Sequence, residues 1–290
     1  MSPRSPDLPS PAVRRAFFCV LAACLLPALS AQPSRYRPPP NQPAEGAADQ
    51  AEGARILGDF RHAGIAGTYW LGFELRVMPR RGPERVLKGE MFGRRGDLGP
   101  LTRLSVAGER RLIQGVPFPA AWAAPDGAAA AQPLSAAAGL EPIAGTDLTV
   151  FDLQMPFLQW SDFVYEGLAR NRGRPAHSFV LYPPADLAAA RPELTGVRIL
   201  IDTQYQAMVQ AALLGPKGEP EKTITVLDLK KSGDQWLVKS IDLRNHVTRD
   251  KTRFQVTAAA LNLDLPPEAF APEQLTSPPP LVPAEQIERF

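Results

Sequence analysis

Four alternating apolar segments follow one another from Ala207 to Ala258, and turn signals separate them. Apolar and polar residues alternate along most of them. That period of two builds antiparallel strands with one dry and one wet face. Gly215-Pro216-Lys217-Gly218 turns Ala207–Leu214 towards Thr223–Leu229, and Ser232-Gly233-Asp234 turns that towards Trp236–Leu243. Lys251–Ala258 closes the run, so three consecutive hairpin links predict a meander. Ala207–Leu214 is apolar on both faces and is expected in the middle of the sheet. In the last strand Phe254 and Val256 fall on the apolar face and Lys251, Arg253 and Gln255 on the other; a slip of one residue would bury three polar side chains. In an exported chain without cysteine chemistry, a large curved sheet of this kind makes a binding surface more often than a catalytic centre.

The expectation of export comes from the N-terminus. Arg14-Arg15, the apolar stretch Ala16–Leu26, Pro27 and the small-residue string Ala28-Leu29-Ser30-Ala31 form the three parts of a secretory signal over residues 1–31. The apolar run falls short of the ~20 residues that a membrane-spanning helix needs. Two readings of the processing stay open. Cleavage after Ser30 or Ala31 leaves a soluble periplasmic chain, whereas Leu21-Ala22-Ala23-Cys24 matches a lipobox in which Cys24 would be lipidated and anchored. Arg14-Arg15 also fits a twin-arginine export signal, weakly. Both cysteines, Cys19 and Cys24, lie inside this leader, so the remaining chain has no disulfide and no cysteine nucleophile or ligand. Removing the leader leaves basic and acidic residues in equal number, which argues against nucleic acid as a partner.

Residues 32–50, rich in Pro, Ala, Gln and Gly, read as an extended linker. A short helix follows, with Ala51, Ala54, Ile56, Leu57 and Phe60 at helical spacing and Gly64 and Gly67 stopping it. A strand begins at Thr68, with Tyr69, Leu71, Phe73, Leu75 and Val77 on one face. Arg80-Arg81-Gly82-Pro83 turns it into a return strand over Arg85–Phe92. A further hairpin joins Thr102–Val106 to Arg111–Ile113, and Pro117–Gly145 reads as a loop with a short strand around Trp122.

Asp147–Tyr165 crowds apolar and aromatic side chains around Pro156 and reads as one or two short helices covering the sheet. Ordinary core packing and a movable cover over an apolar cavity are both open for it. Strands resume at His177–Tyr182 and Val197–Asp202. The Pro-rich tail 276–290 is expected to be loosely held.

The order and spacing of several segments resemble the LolA-like outer-membrane lipoprotein-sorting proteins, in an uncharacterised branch. The resemblance spans roughly Phe151–Leu275. It rests on Phe151-Asp152-Leu153 leading to Tyr165-Glu166-Gly167, Gly173-Arg174-Pro175, and Val197–Asp202 with Tyr205. It continues through Trp236–Ile241, Thr252-Arg253-Phe254, and Leu263-Asp264-Leu265 with Phe270 and Leu275. It implies a mainly β fold of α+β type: a half-open, strongly curved antiparallel β-barrel over residues 51–275 with short covering helices. The implied function is carriage of lipoprotein acyl chains or lipid between an inner-membrane donor and an outer-membrane acceptor, by a monomer. Phe151, Met155, Phe157, Trp160, Phe163 and Tyr165 are the expected lid and cavity lining. The lid-switching arginine of the family's carriers is not assigned among Arg170, Arg172 and Arg174, and no ligand residue is carried over.

Catalytic chemistry has little sequence support. His62, His177 and His246 stand apart from one another, in no zinc-binding array, and no nucleophile elbow, phosphate loop or dinucleotide fingerprint occurs. Asp152 and Asp162 read as helix caps rather than as the acid/base pair of a glycosidase. The expectation is therefore no catalytic residue, no metal and no cofactor. A carrier, a non-transporting envelope scaffold of the same fold, and a hydrolase with dispersed residues remain as readings.

Overall fold

The computed structural model describes residues 48–61, 67–96, 99–115 and 118–290. The leader, most of the linker, His62 and Gly64 lie outside the described residues. Helix α1 (Gln50–Arg61) precedes β1 (Thr68–Met78), β2 (Arg85–Gly96), β3 (Gly99–Val106), β4 (Glu109–Gln114), β5 (Ala120–Ala124) and β6 (Gln132–Pro133). A second series follows: α2 (Val150–Gln154), a 3₁₀ turn Pro156–Gln159, β7 (Phe163–Asn171), β8 (Arg174–Leu181), α3 (Ala185–Ala190), β9 (Gly196–Asp202), β10 (Met208–Leu214), β11 (Pro220–Ser232), β12 (Gln235–Asn245), β13 (Lys251–Leu261) and β14 (Glu288–Arg289).

The strands form one antiparallel sheet in the order β6-β5-β4-β3-β2-β1-β13-β12-β11-β10-β9-β8-β7, with β14 added beside β13. It is two meanders joined where β1 pairs with β13. Its end strands β6 and β7 do not meet among the described residues, so the barrel is open. Two-residue turns with left-handed backbone, Ala107-Gly108 (φ 48° and 80°) and Arg172-Gly173 (φ 51° and 83°), join β3 to β4 and β7 to β8. That handedness matches the twist of the flanking strands. Bulges at Gly72/Phe73, Tyr165/Gly167 and Met208/Gln210 add the local twist that curves the sheet.

The inner face carries the main core. Leu71, Phe73, Leu75, Met91, Leu104, Ile113, Phe179, Ile199, Ile224, Leu243, Phe254 and Val256 are all buried in it. Phe73 stacks on Phe254 at 4.7 Å across the β1–β13 seam. Two glycines of β2 make room for β1's rings: a Cβ at Gly89 would lie 2.4 Å from Phe73 Cζ, and one at Gly93 2.1 Å from the Tyr69 ring. On the outer face of β13, Arg253 pairs with Asp242 of β12 through two hydrogen bonds of 2.7 and 3.0 Å, as the alternation predicts.

Residues 276–290, expected to be loosely held, are tied at their start by Arg110 to Thr276 O and Arg103 to Ser277 O and at their end by β14, and the segment leading into them is packed as well. Residues 265–282 pack on the outer face, where Phe270 and Leu275 join Phe92, Leu112 and Ala124 in a second core. Arg103, only 2% exposed, donates from Nη1 to Ala269 O (3.1 Å) and from Nη2 to Ser277 O (2.5 Å); Arg110 donates to Thr276 O at 3.1 Å. Proline removes backbone donors but leaves carbonyls free to accept, so a Pro-rich segment is held by arginines rather than by its own ladder.

Candidate apolar site beneath a two-part cover

The inner face is roofed by α1 and by the segment 147–160, the strap. Asp49 caps α1, its Oδ1 accepting from Ala51 N (2.9 Å) and Glu52 N (3.3 Å). Leu57 is fully buried and Ile56 and Phe60 pack half-buried on the core, while Arg55 turns outward to Glu52 and Asp59. Only glycine fits at position 53, because a Cβ there would stand 2.4 Å from Tyr165 Cβ. The Gln50 amide donates to Tyr165 O (2.8 Å) and accepts from Tyr165 N (2.9 Å), closing part of the sheet edge at β7.

The strap opens with a capping box: Asp152 N donates to Thr149 Oγ1 (3.2 Å) and Thr149 N to Asp152 Oδ2 (2.8 Å). Helix α2 lasts one turn because Met155 takes a left-handed conformation (φ 46°, ψ 51°) and Pro156 follows. Three aromatic rings meet under this joint: Phe151–Phe157 at 5.7 Å, Phe151–Trp160 at 6.2 Å and Phe157–Trp160 at 6.3 Å.

Polar contacts also hold the strap down. Asp152 makes a buried ion pair with Lys222 of β11. The Asp147 carboxylate accepts from Thr252 Oγ1 (2.9 Å), and that hydroxyl accepts from Asp147 N (2.9 Å). Burial pushes the Asp147 carboxyl up, while the Thr252 hydroxyl and Lys222 pull it down. Gln154 donates to Gln114 O (3.0 Å) and Ala120 O (2.9 Å) at the ends of β4 and β5. Across the seam between the two cover pieces, Arg61 of α1 donates to Leu158 O and, at 3.1 Å, to Trp160 O. Burial pushes the Arg61 guanidinium down from its usual value.

Of the residues expected in the site, Phe151, Phe157 and Trp160 come together beneath the strap, and Met155 sits half-buried above them. Phe163 and Tyr165 are on the sheet itself, in edge strand β7. There Phe163 meets Phe179 at 6.3 Å, and Tyr165 meets Phe179 at 4.9 Å. The Tyr165 hydroxyl also pairs with His177 Nδ1 at 2.8 Å. Alternation alone does not reveal Gln50 and Arg61, which tie the cover together, or Lys222. Lys222 does leave a trace: it stands in phase with Ile224, which joins the core.

His246 pairs with Thr223 Oγ1 at 2.8 Å. Among the described residues no three His, Cys, Asp or Glu side chains group as a metal site, and no helix is long and apolar enough to cross a membrane.

Residues 129–277, which include the strap and β7–β13, match the model of a family described as uncharacterized. The chain belongs to this family. No curated protein matches it. The solved structures it resembles supply the fold. A domain described as that of an outer membrane lipoprotein-sorting protein, from Vibrio parahaemolyticus, superposes with a TM-score of 0.70 at 14% identity, covering 79% of this chain and 100% of that one. A DUF1329 family protein from Desulfovibrio piger gives 0.67 at 11% identity, over 78% and 98%. A LolA superfamily protein from Nitrosomonas europaea gives 0.58 at 11% identity, over 75% and 96%. This family member therefore has the LolA-like fold.

Proposed function

We propose that this protein is a non-enzymatic periplasmic carrier that shelters the acyl chains of lipoproteins or lipids on its inner face and moves them towards the outer membrane. The observation that carries this reading is the two-part roof over a continuous apolar face. Ile56, Phe60, Met155, Leu158 and Phe163 are half-buried around it, and two hydrogen bonds from Arg61 bridge α1 and the strap. An acyl chain is recognised by apolar area, at ~0.8 kcal/mol per buried methylene, and not by a few directed polar groups. Release needs a cover whose open and closed states differ little in free energy. The fold shared with a lipoprotein-sorting domain supports the same reading. Export by residues 1–31 supplies the compartment.

Native mass spectrometry of protein purified from the envelope, with titration by a fluorescent fatty acid, tests the proposal. Co-purified lipid and saturable binding displaced by unlabelled fatty acid are expected. A stable protein partner with no lipid and no acyl binding would replace the carrier with a scaffold. The same spectrum gives the mature N-terminus, expected at Ala31 or Gln32; a diacylated Cys24 would make the protein an anchored form.

A further inference from the structure

The sheet splits between β12 and β13. Their pairing covers only Ser240–Arg244 against Gln255–Lys251, although β12 reaches back to Gln235 and β13 runs on to Leu261. The part of β13 that β12 leaves contains Ala258, Ala259 and Ala260, three small side chains. Strand β14 lies there instead, pairing Glu288 with Ala259 and Arg289 with Ala258, and Phe290 N donates to Thr257 O at 2.9 Å. Through this opening Phe290 packs against the inner core.

We propose that the split between β12 and β13 is a second acyl-chain site, a portal into the apolar interior that the chain's own Phe290 occupies and an incoming acyl chain displaces. This rests on the carrier reading above. Phe290 shows that the opening admits an apolar group from outside to the inner core. What holds it is slight: a strand of two residues, a half-exposed ion pair Lys230–Glu288 at 3.5 Å, one hydrogen bond from Ser232 Oγ to Glu288 at 2.6 Å, and Lys230 over the Phe290 ring at 5.2 Å. Exposed ion pairs contribute little to stability, so the plug is cheap to displace. Its withdrawal frees Lys230 from both partners and gives the portal a cation suited to a carboxylate or phosphate head group. The rim is dressed for a lipid: Leu237 is buried inwards, while Val238 and Trp236, the latter 62% exposed, face outwards on the half of β12 that pairs with β11 but not with β13. Tryptophan, with an apolar body and a polar N–H, suits a boundary between lipid and water.

The test uses the chain from Gln32 and a fatty acid carrying a nitroxide near its methyl end, alongside the fluorescent fatty acid. Paramagnetic broadening of the Ala259 amide and the Trp236 indole is expected on binding. Phe290→Ala should take up the fluorescent probe severalfold faster than wild type. Glu288→Gln, which loosens the plug without removing an apolar contact, should shift the rate in the same direction. If wild type binds the probe but neither variant changes the rate and Ala259 and Trp236 are unbroadened, the portal is refuted and the carrier reading stands. If no form binds an acyl chain, the carrier reading falls and takes the portal with it.

Discussion

Lys222 and Asp152, seventy residues apart in sequence, form an ion pair whose side chains are 12% and 3% exposed. Removing one partner strands a buried charge, whereas replacing both by apolar groups removes the cost of dehydrating two. Asp152→Ala should therefore lose ~3–5 kcal/mol in urea unfolding, and Lys222→Met with Asp152→Leu should recover most of it. If the double variant is as unstable as the single one, the capping bond from Thr149 N, which both variants lose, sets the cost rather than the stranded Lys222 charge. Asp202 offers a pH test. Hydrogen bonds from Arg174 hold its carboxyl below the usual range against burial, the second-largest effect, with further help from the backbone N–H groups of Tyr205 and Gln204. A depressed folded-state value gives stability that is present above the unfolded value of about 3.9 and is lost as pH falls through the folded one. Asp202→Asn should lower the melting temperature at neutral pH and flatten its decline in acid. An unchanged acid limb would show that other carboxylates govern it. Arg174 is partly exposed, so the effect is modest.

At the scale of elements, the strap was legible and the other half of the cover was not. The aromatic density around Pro156 announces α2 and the turn after it, but α1 shows only an ordinary amphipathic helix; its role comes from Gln50 and Gly53 meeting Tyr165, more than a hundred residues away. Strand β7 was hidden for a different reason. Glu166 interrupts its alternation at a bulge, and that carboxylate is buried against Ser178 and Arg198 on the outer face. The cover has a packed part and a seam, and the carrier reading places the opening at the seam. Phe157 is fully buried between Phe151 and Trp160, so Phe157→Ala should cost ~3–5 kcal/mol, as in any packed interior. Phe60→Ala and Arg61→Gln, at the seam, should cost far less stability yet change the rate of fluorescent fatty-acid exchange. Equal exchange rates in wild type and both seam variants, measured by stopped flow, would show that the seam does not open.

Across the whole molecule, hairpin spacing predicts each meander, because neighbouring strands are joined by turns with local signals. Nothing local predicts that β1 closes on β13, which depends on Phe73 and Leu75 meeting Val256 and Phe254 from far away in the sequence. Composition is equally silent on residues 276–290: their prolines report a segment short of backbone donors, but neither the arginines that hold it nor the two-residue strand β14 near its end. The tail's anchor is Arg103, a buried arginine whose guanidinium is pushed down by burial and by Arg110 and pulled up by Glu90. Two of its nitrogens reach tail carbonyls and its Nε has no partner within the protein. Arg103→Met keeps much of the buried apolar volume but gives up both bonds. Hydrogen bonds to charged groups are worth about 1.5–3 kcal/mol, so the variant should be destabilised on that scale. The loss should also be local to residues 265–282, which pack on the outer face, away from the inner face proposed to take the acyl chain. A protease that cuts after glutamate should cleave Arg103→Met faster at the exposed Glu268 and Glu273, with fatty-acid binding unchanged. Unaltered cleavage there would mean that Phe270 and Leu275 hold the tail without the arginine. Lost acyl binding would mean that the two faces are coupled through the sheet.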